Sequence, residues 1–327
     1  MNRQKNRQKI VLLGTGGTLA GTSPSRSDNI GYTAAQLGIE ELLDAIPSLR
    51  RLPVVSEQVA QIDSKDMDEA GWTRIAQRCA HWLAQDAVQG VVITHGTDTL
   101  EETAYLLHAL LAPSKPVVLT CSMRPATALS PDGPQNIVDA VAVAGWPHAQ
   151  GVVAVCAGVV HGALDVRKEH TYRLDAFGSG DAGPIGYVEE AGLRLLRSWP
   201  EARTHQPHPA MAFLATGAAW PHVEIVTSHG GAGARIVEAL VAQGIGGLVI
   251  AGTGNGTIHQ ALEPALRAAQ ARGVRVVRAT RCAQGRVIGT APDSFESAHG
   301  LSPVKARIAL QLDLMAAKPT RLPARAG

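Results

Sequence analysis

What most constrains this chain is an alternation: short apolar runs, each closed by glycine or a turn, separated by stretches with helical spacing. In the first half the apolar runs fall at 10–13, 53–59, 91–94, 116–121 and 151–156. Short runs of this kind, bounded by turn signals, read as strands buried on both faces. Between them lie two helix-like stretches, 66–83 with apolar residues three and four apart, and 100–111, which opens with two glutamates after Asp98. Asp66 is the expected cap of the first of these helices. Glu101 and Glu102 complement the N-terminus of the second. The alternation predicts an α/β fold with a mostly parallel sheet covered by helices on both faces.

The pattern breaks once. Residues 198–210 are rich in Pro and His and show no periodicity, so 201–212 reads as a linker. Alternation then resumes, with strands expected at 223–226, 247–251 and 274–277 and helices at 232–242 and 257–271. A last helix is expected from the Ser302 cap and Pro303 at its first position. A chain of 327 residues can bury a core in each half. The expected organisation is a larger N-terminal α/β domain over 1–200 with a lid at 18–34, and a smaller C-terminal α/β domain over 213–327. The tail beyond Met315 is expected to be loosely held.

Composition removes several function classes. Charged residues make up 18% and the formal net charge is +2, so nothing demands an acidic partner or nucleic acid. The basic head at 2–9 and basic tail at 321–325 read as solvated ends. No run approaches the roughly 18 apolar residues of a membrane span. The run 10–13 is too short for the core of a signal peptide, so the chain is expected in the cytoplasm. Four cysteines, Cys79, Cys121, Cys156 and Cys282, are far apart and form no CxxC pair. Of twelve histidines none falls in HExxH, and no GxSxG elbow occurs. Neither a metal nor a cofactor is expected.

Two loops carry candidate chemistry. GTGGTLAG at 14–21 directly follows the first strand, and the carboxyl end of a strand is where open α/β sheets bind ligands. A dinucleotide loop would need glycine where Leu19 stands, and a P-loop would need Lys before Ser or Thr. The loop is then either a place where a ligand approaches the backbone closely or a tight turn with Thr18 as a helix cap. A second glycine cluster, GSGDAG at 178–183, opens no helix and reads as a loop. THGTDT at 94–99 ends a strand and opens a helix, presenting hydroxyls, the Asp98 carboxylate and free backbone N–H groups at one mouth. Asp98 is either a substrate ligand or the cap of that helix. Lys168 is either a surface charge or the group that activates a hydroxyl.

At these loops the chain resembles the bacterial-type L-asparaginases. GGTLAG at 16–21 and HGTDT at 95–99 look like the paired active-site signatures of that family, and LEETA follows at 100–104. Similar segments are DSKDM at 63–67, SMRP at 122–125, DGPQN at 132–136, GTGNG at 252–256 and SPVKAR at 302–307. They recur in family order over nearly the whole chain. The resemblance implies an L-asparagine amidohydrolase that works through a threonine acyl-enzyme. It also implies a homotetramer built as a dimer of intimate dimers, with each site completed by a neighbouring subunit. It makes Thr18 the nucleophile and Tyr32 its lid partner, with Thr97, Asp98 and Lys168 as the second catalytic group. Ser64 and Asp98 match the positions that hold the substrate α-carboxylate and α-amino group, and Asn255 matches a residue contributed by the neighbour. Backbone N–H groups near Thr97 and Ser122 are the expected oxyanion donors.

Two departures stand out. Lys65 occupies a place where many relatives are neutral or acidic, which points to a part in carboxylate binding or side-chain selectivity. The segment 282–301 is short, leaving Asp293 and Glu296 as candidates for reaching a neighbour's substrate amine. Rival readings are a broad glutaminase–asparaginase, an amidotransferase subunit and a non-catalytic ligand-binding protein. Nine residues before the first strand argue against the amidotransferase subunit. Retention of Thr18, Thr97, Asp98 and Lys168 together argues against the binding protein.

Overall fold

A computed structural model describes residues 8–190, 192–200, 206–289 and 295–317. The chain divides into two compact units, Met1–Pro207 and His208–Gly327.

In the first unit, β1 (Lys9–Gly16), β2 (Val54–Ile62), β3 (Val88–Thr94), β4 (Val117–Thr120) and β5 (Val152–Cys156) are parallel, in the order β2-β1-β3-β4-β5. Strand β6 (Val159–Gly162) turns back antiparallel on β5. After a two-residue ribbon of β7 (Arg167–Lys168) and β8 (Phe177–Gly178), β9 (Gly186–Glu189) and β10 (Gly192–Leu195) extend the same edge. The sequence predicts the five parallel strands but not this antiparallel edge. Its strands have four residues each, too few to show a period.

Strand residues alternate between two helix layers. Leu12, Val92, Val118 and Val153 pack with α1 (Ile39–Asp44) and with α4 (Gly133–Ala144) through Ile137, Ala140 and Val141. Their neighbours Val11, Leu13, Val91, Ile93, Val117 and Leu119 are equally buried on the other face. That face is covered by α2 (Glu69–Leu83) and α3 (Leu100–Leu111). Helix α2 is capped by Asp68, whose carboxylate accepts from Gly71 N, and not by Asp66, which lies in a preceding short turn. Helix α3 begins at Leu100 with Thr99 as its cap residue, so Asp98 is not the cap.

Two consequences position the site. Strand β1 lies between β2 and β3, so the direction of strand addition reverses at the β1/β3 boundary. Ligands of open α/β sheets bind at the carboxyl ends of strands at such a switch point. Further, α4 lies on the face opposite α2 and α3 although β3, β4 and β5 advance in one direction. The β4–α4–β5 crossover therefore has the opposite hand to its neighbours, a departure from the usual right-handed rule.

In the second unit, β11 (Val223–Thr227), β12 (Gly247–Gly252), β13 (Arg275–Thr280) and β14 (Glu296–Ser297) form a four-stranded parallel sheet. Helices α6 (Arg235–Ala242) and α7 (Glu263–Ala271) pack on Leu248, Ile250 and Val276. Helix α8 (Pro303–Ala316) covers Val223, Val249 and Val277 from the other side. The segment expected as linker ends inside a short helix, α5 (Ala210–Leu214), whose Ala210, Phe213 and Leu214 are buried. Helix α7 starts six residues later than expected, because Thr253 and Thr257 close a turn through reciprocal backbone hydrogen bonds. The basic tail at 321–325 and most of the basic head lie outside the described residues. Among the described residues no helix is long and apolar enough to cross a membrane, and no cluster of His, Cys, Asp and Glu could hold a metal ion.

Candidate active site

Three loops meet at the carboxyl ends of β1, β2 and β3. Gly17 has a φ of 79°, and a Cβ there would collide with the backbone of Gly96. A Cβ on Gly96 would in turn collide with the Ser64 hydroxyl. Glycine alone permits this stacking, which draws Thr18, Ser64 and the 96–99 loop together.

Thr18 opens a single 3₁₀ turn, Thr18–Ala20, and is buried. Its Oγ1 lies 2.6 Å from the Tyr32 hydroxyl. Burial pushes the Tyr32 phenol up, and the nearby Asp63 and Asp98 carboxylates push the same way against the Thr18 hydrogen bond. Tyr32 thus holds its proton at neutral pH. The segment that carries it folds back so that Thr22 and Thr33 pair as an antiparallel bridge. It docks on the loop after β4: Ser23 N donates to Thr127 Oγ1 at 2.8 Å, and Leu129 N donates to the Arg26 carbonyl at 3.0 Å.

The second hydroxyl, Thr97, has different partners. Lys168 Nζ donates to Thr97 Oγ1 at 2.7 Å and to Asp98 Oδ1 at 2.5 Å. Thr97 donates in turn to Asp98 Oδ1 at 3.4 Å. Lys168 is brought here by the short β7–β8 ribbon, with Lys168 opposite Phe177. Its side chain is 21% exposed, whereas that of Asp98 is 49% exposed while its Oδ1 stays bound within the cluster.

Ser64 is buried and its Oγ accepts from Asp98 N at 3.1 Å, while its carbonyl accepts from Thr99 Oγ1 at 2.8 Å. Accepting at Oγ leaves the serine proton to donate. The Lys65 ammonium is exposed and paired with Asp66, whose hydrogen bond holds it above its usual range. Ser122 is buried just after β4 and donates its hydroxyl to the Arg124 carbonyl at 2.8 Å.

Behind the 96–99 loop runs a buried polar chain that the motifs do not announce. Trp72 Nε1 donates to Thr103 Oγ1 at 2.9 Å, and Thr103 Oγ1 lies 2.9 Å from His95 Nε2. His95 Nδ1 lies 2.7 Å from the Gly96 carbonyl. A carbonyl only accepts, so Nδ1 carries the proton, and in a neutral ring Nε2 then accepts from Thr103. Burial agrees, lowering the His95 pKa to about 4 against the raising effect of the Gly96 hydrogen bond.

Residues 9–201 match the family model described as Asparaginase, N-terminal, and residues 222–321 match Glutaminase/Asparaginase C-terminal domain. The chain belongs to the asparaginase family. L-asparaginase 2 of Bacillus subtilis (strain 168) is 36% identical over 319 residues, covering 96% of this chain and 84% of that protein. Glutaminase-asparaginase of Pseudomonas fluorescens biotype A is 37% identical over 308 residues, covering 91% and 84%. The crystal structure of a probable cytoplasmic L-asparaginase from Campylobacter jejuni superposes with a TM-score of 0.88 at 37% identity, covering 94% of each chain.

In this asparaginase Thr18, Tyr32, Ser64, Thr97, Asp98 and Lys168 belong to the first unit, with Thr18 paired to Tyr32 and the other four joined in one hydrogen-bonded set. Asn255 belongs to the second unit. Its Nδ2 donates to the Ile288 carbonyl and its Oδ1 accepts from Ile288 N, both at 2.7 Å, so the amide clasps its own 280s loop. Glu296 is likewise engaged, accepting from Arg275 Nη2 at 2.7 Å. Asp293 lies outside the described residues.

Proposed function

We propose that this asparaginase hydrolyses the side-chain amide of L-asparagine to L-aspartate and ammonia through an acyl-enzyme on Thr18. The observation that carries the reading is the pair of hydroxyls at one switch point, each with its own proton partner: Thr18 with Tyr32 and Thr97 with Lys168. Ser64 donates to the substrate α-carboxylate and Asp98 accepts from its α-ammonium, which presents the side-chain amide to Thr18. Thr18 Oγ1 attacks the amide carbon. Tyr32, being protonated, takes the Thr18 proton only as it passes on its own, so it acts as a relay toward the departing nitrogen. Ammonia leaves and an aspartyl ester remains. A water polarised by Thr97, beside the Lys168 ammonium, cleaves the ester. Negative charge on the tetrahedral oxygen meets backbone N–H groups of the Thr97 and Ser122 segments.

The reading extends to assembly and place. The 1–200 region carries the chemistry, and 213–327 completes a neighbouring subunit's site in a homotetramer, with Asn255 exchanging its Ile288 contacts for that role. The chain works in the cytoplasm, a placement supported by its likeness to the probable cytoplasmic L-asparaginase of Campylobacter jejuni. A second reading, hydrolysis of both L-asparagine and L-glutamine, is favoured by the likeness to the glutaminase-asparaginase of Pseudomonas. Ammonia release with each amide tests both readings. Thr18→Ala should lose at least about a thousandfold in kcat while still binding aspartate. Retention of more than about a tenth of parent activity would remove Thr18 from its role. Equal kcat/KM for the two amides would favour the second reading.

A further inference from the structure

Building on the proposed chemistry, we infer that Asn136 and Asp132 are positioning residues that aim the main chain of Ser122 at the reacting carbonyl. Ser122 sits where the β4–α4–β5 crossover must leave the sheet on the unusual side, so its backbone is not held by a strand partner. Its neighbours place it at the site. The position of a Cβ on Gly133 is shared by Leu19, next to Thr18, at 3.1 Å and by the Ser122 Cβ at 3.5 Å. The adjoining Cys121 thiol feels the Lys168 ammonium.

Both peptide planes that flank Ser122 are pinned from outside. The carbonyl of Cys121 accepts from Asn136 Nδ2 at 2.9 Å. A trans peptide is planar with its C=O and N–H on opposite sides, so this bond fixes the Ser122 N–H pointing away from Asn136. The next plane is fixed from its other end: Met123 N donates to Asp132 Oδ2 at 2.9 Å, which sets the direction of the Ser122 carbonyl. Arg124 N donates to the second Asp132 oxygen at 3.0 Å.

The two clamps are themselves joined, since Asn136 Nδ2 also reaches Asp132 Oδ2 at 3.3 Å. Asn136 Oδ1 accepts from Ala157 N at 3.0 Å just past β5, which ties the β4 and β5 ends together. Asn136 is buried and its amide is committed on both atoms, a geometry that no other side chain of this size reproduces. Aspartate there keeps the acceptor toward Ala157 but loses the donor to Cys121.

The inference predicts a split between catalysis and binding. Asn136→Asp and Asp132→Ala should each lose at least about tenfold in kcat for L-asparagine, the size of effect expected when a transition-state donor is misaimed. The dissociation constant for L-aspartate, which is held by Ser64 and Asp98, should change less than about threefold, measured by calorimetry on variants whose thermal unfolding shows them folded. A folded variant with kcat within about threefold of the parent would overturn the inference. So would parallel losses of kcat and aspartate affinity, which is what a general collapse of the pocket produces. If Asn136→Asp does not fold, Asp132→Ala decides alone, because Asp132 is only partly buried. The outcome separates from that of the parent reading. An inactive Thr18→Ala beside a fully active Asp132→Ala sinks this inference only, whereas an active Thr18→Ala sinks the mechanism.

Discussion

At the scale of single residues, the site is a set of protons placed by burial. Lys168 gives Thr97 a charged donor at 2.7 Å. Lys168→Met keeps the stem and removes the charge, so kcat should fall by about a hundredfold or more, in the range of general acid–base contributions. Steady-state ammonia release on the folded variant reads this directly, and unchanged kcat would return Lys168 to a surface role. His95 contributes differently. Its folded pKa is about 4, below the ordinary 6.5, so the unfolded chain takes up a proton first as pH falls. The stability linked to a neutral His95 is intact above about pH 6.5 and is lost progressively down to about pH 4, by about 3 kcal/mol in total. Thermal unfolding between pH 7 and pH 4.5 should therefore slope less steeply in His95→Gln than in the parent. Parallel slopes would mean that His95 is charged in the fold or does not titrate. Which hydroxyl meets which partner was open to the sequence only through family likeness. Nothing in the spacing of Thr18 and Tyr32, or of Thr97 and Lys168, sets a distance. Lys65, prominent as a departure from relatives, directs its charge to Asp66.

At the scale of elements, two glycines decide how closely the loops after β1 and β3 approach. Gly17→Ala forces a Cβ into the Gly96 backbone at a φ of 79°. It should cost a few kcal/mol and remove activity together with stability, since Thr18 is the next residue. Gly244→Ala is the matched control. Its φ is 78° but nothing lies within 4 Å of the new Cβ, so it should cost about 1 kcal/mol and leave kcat unchanged. Differential scanning calorimetry and ammonia release on both variants check this, and equal effects would deny the stacking a special part. The elements legible in the sequence were those with long, strongly apolar patterns. Helix α3 spans Leu100–Leu111 as expected, and β5 begins within one residue of its expected start. The cap of α2 shifted from Asp66 to Asp68 because a short turn at Ser64–Asp66 intervenes, and two aspartates in three residues give no local way to choose. Asp132 and Asn136 were visible as a motif, four residues apart at a helix start. Their work on Ser122 was not, because it depends on the hand of a crossover that no local pattern encodes.

At the scale of the whole molecule, an amide-hydrolysing site in the first unit and the proposed neighbouring contribution from the second require an oligomer. Sedimentation velocity at low micromolar concentration should show a tetramer, with an intimate interface of roughly 2,000 Å² or more. A fully active monomer would withdraw the proposed role of Asn255, whose amide would then serve only the Ile288 clasp. In the proposed chemistry one threonine of the chain becomes an ester during turnover. Acid quenching of the enzyme in its first turnover with L-asparagine, followed by peptide mass spectrometry, tests it most directly. An aspartyl adduct is expected on the peptide that contains Thr18 and is expected to be absent from Thr18→Ala. An adduct on the peptide that contains Thr97 instead, or undiminished turnover by Thr18→Ala, would contradict it.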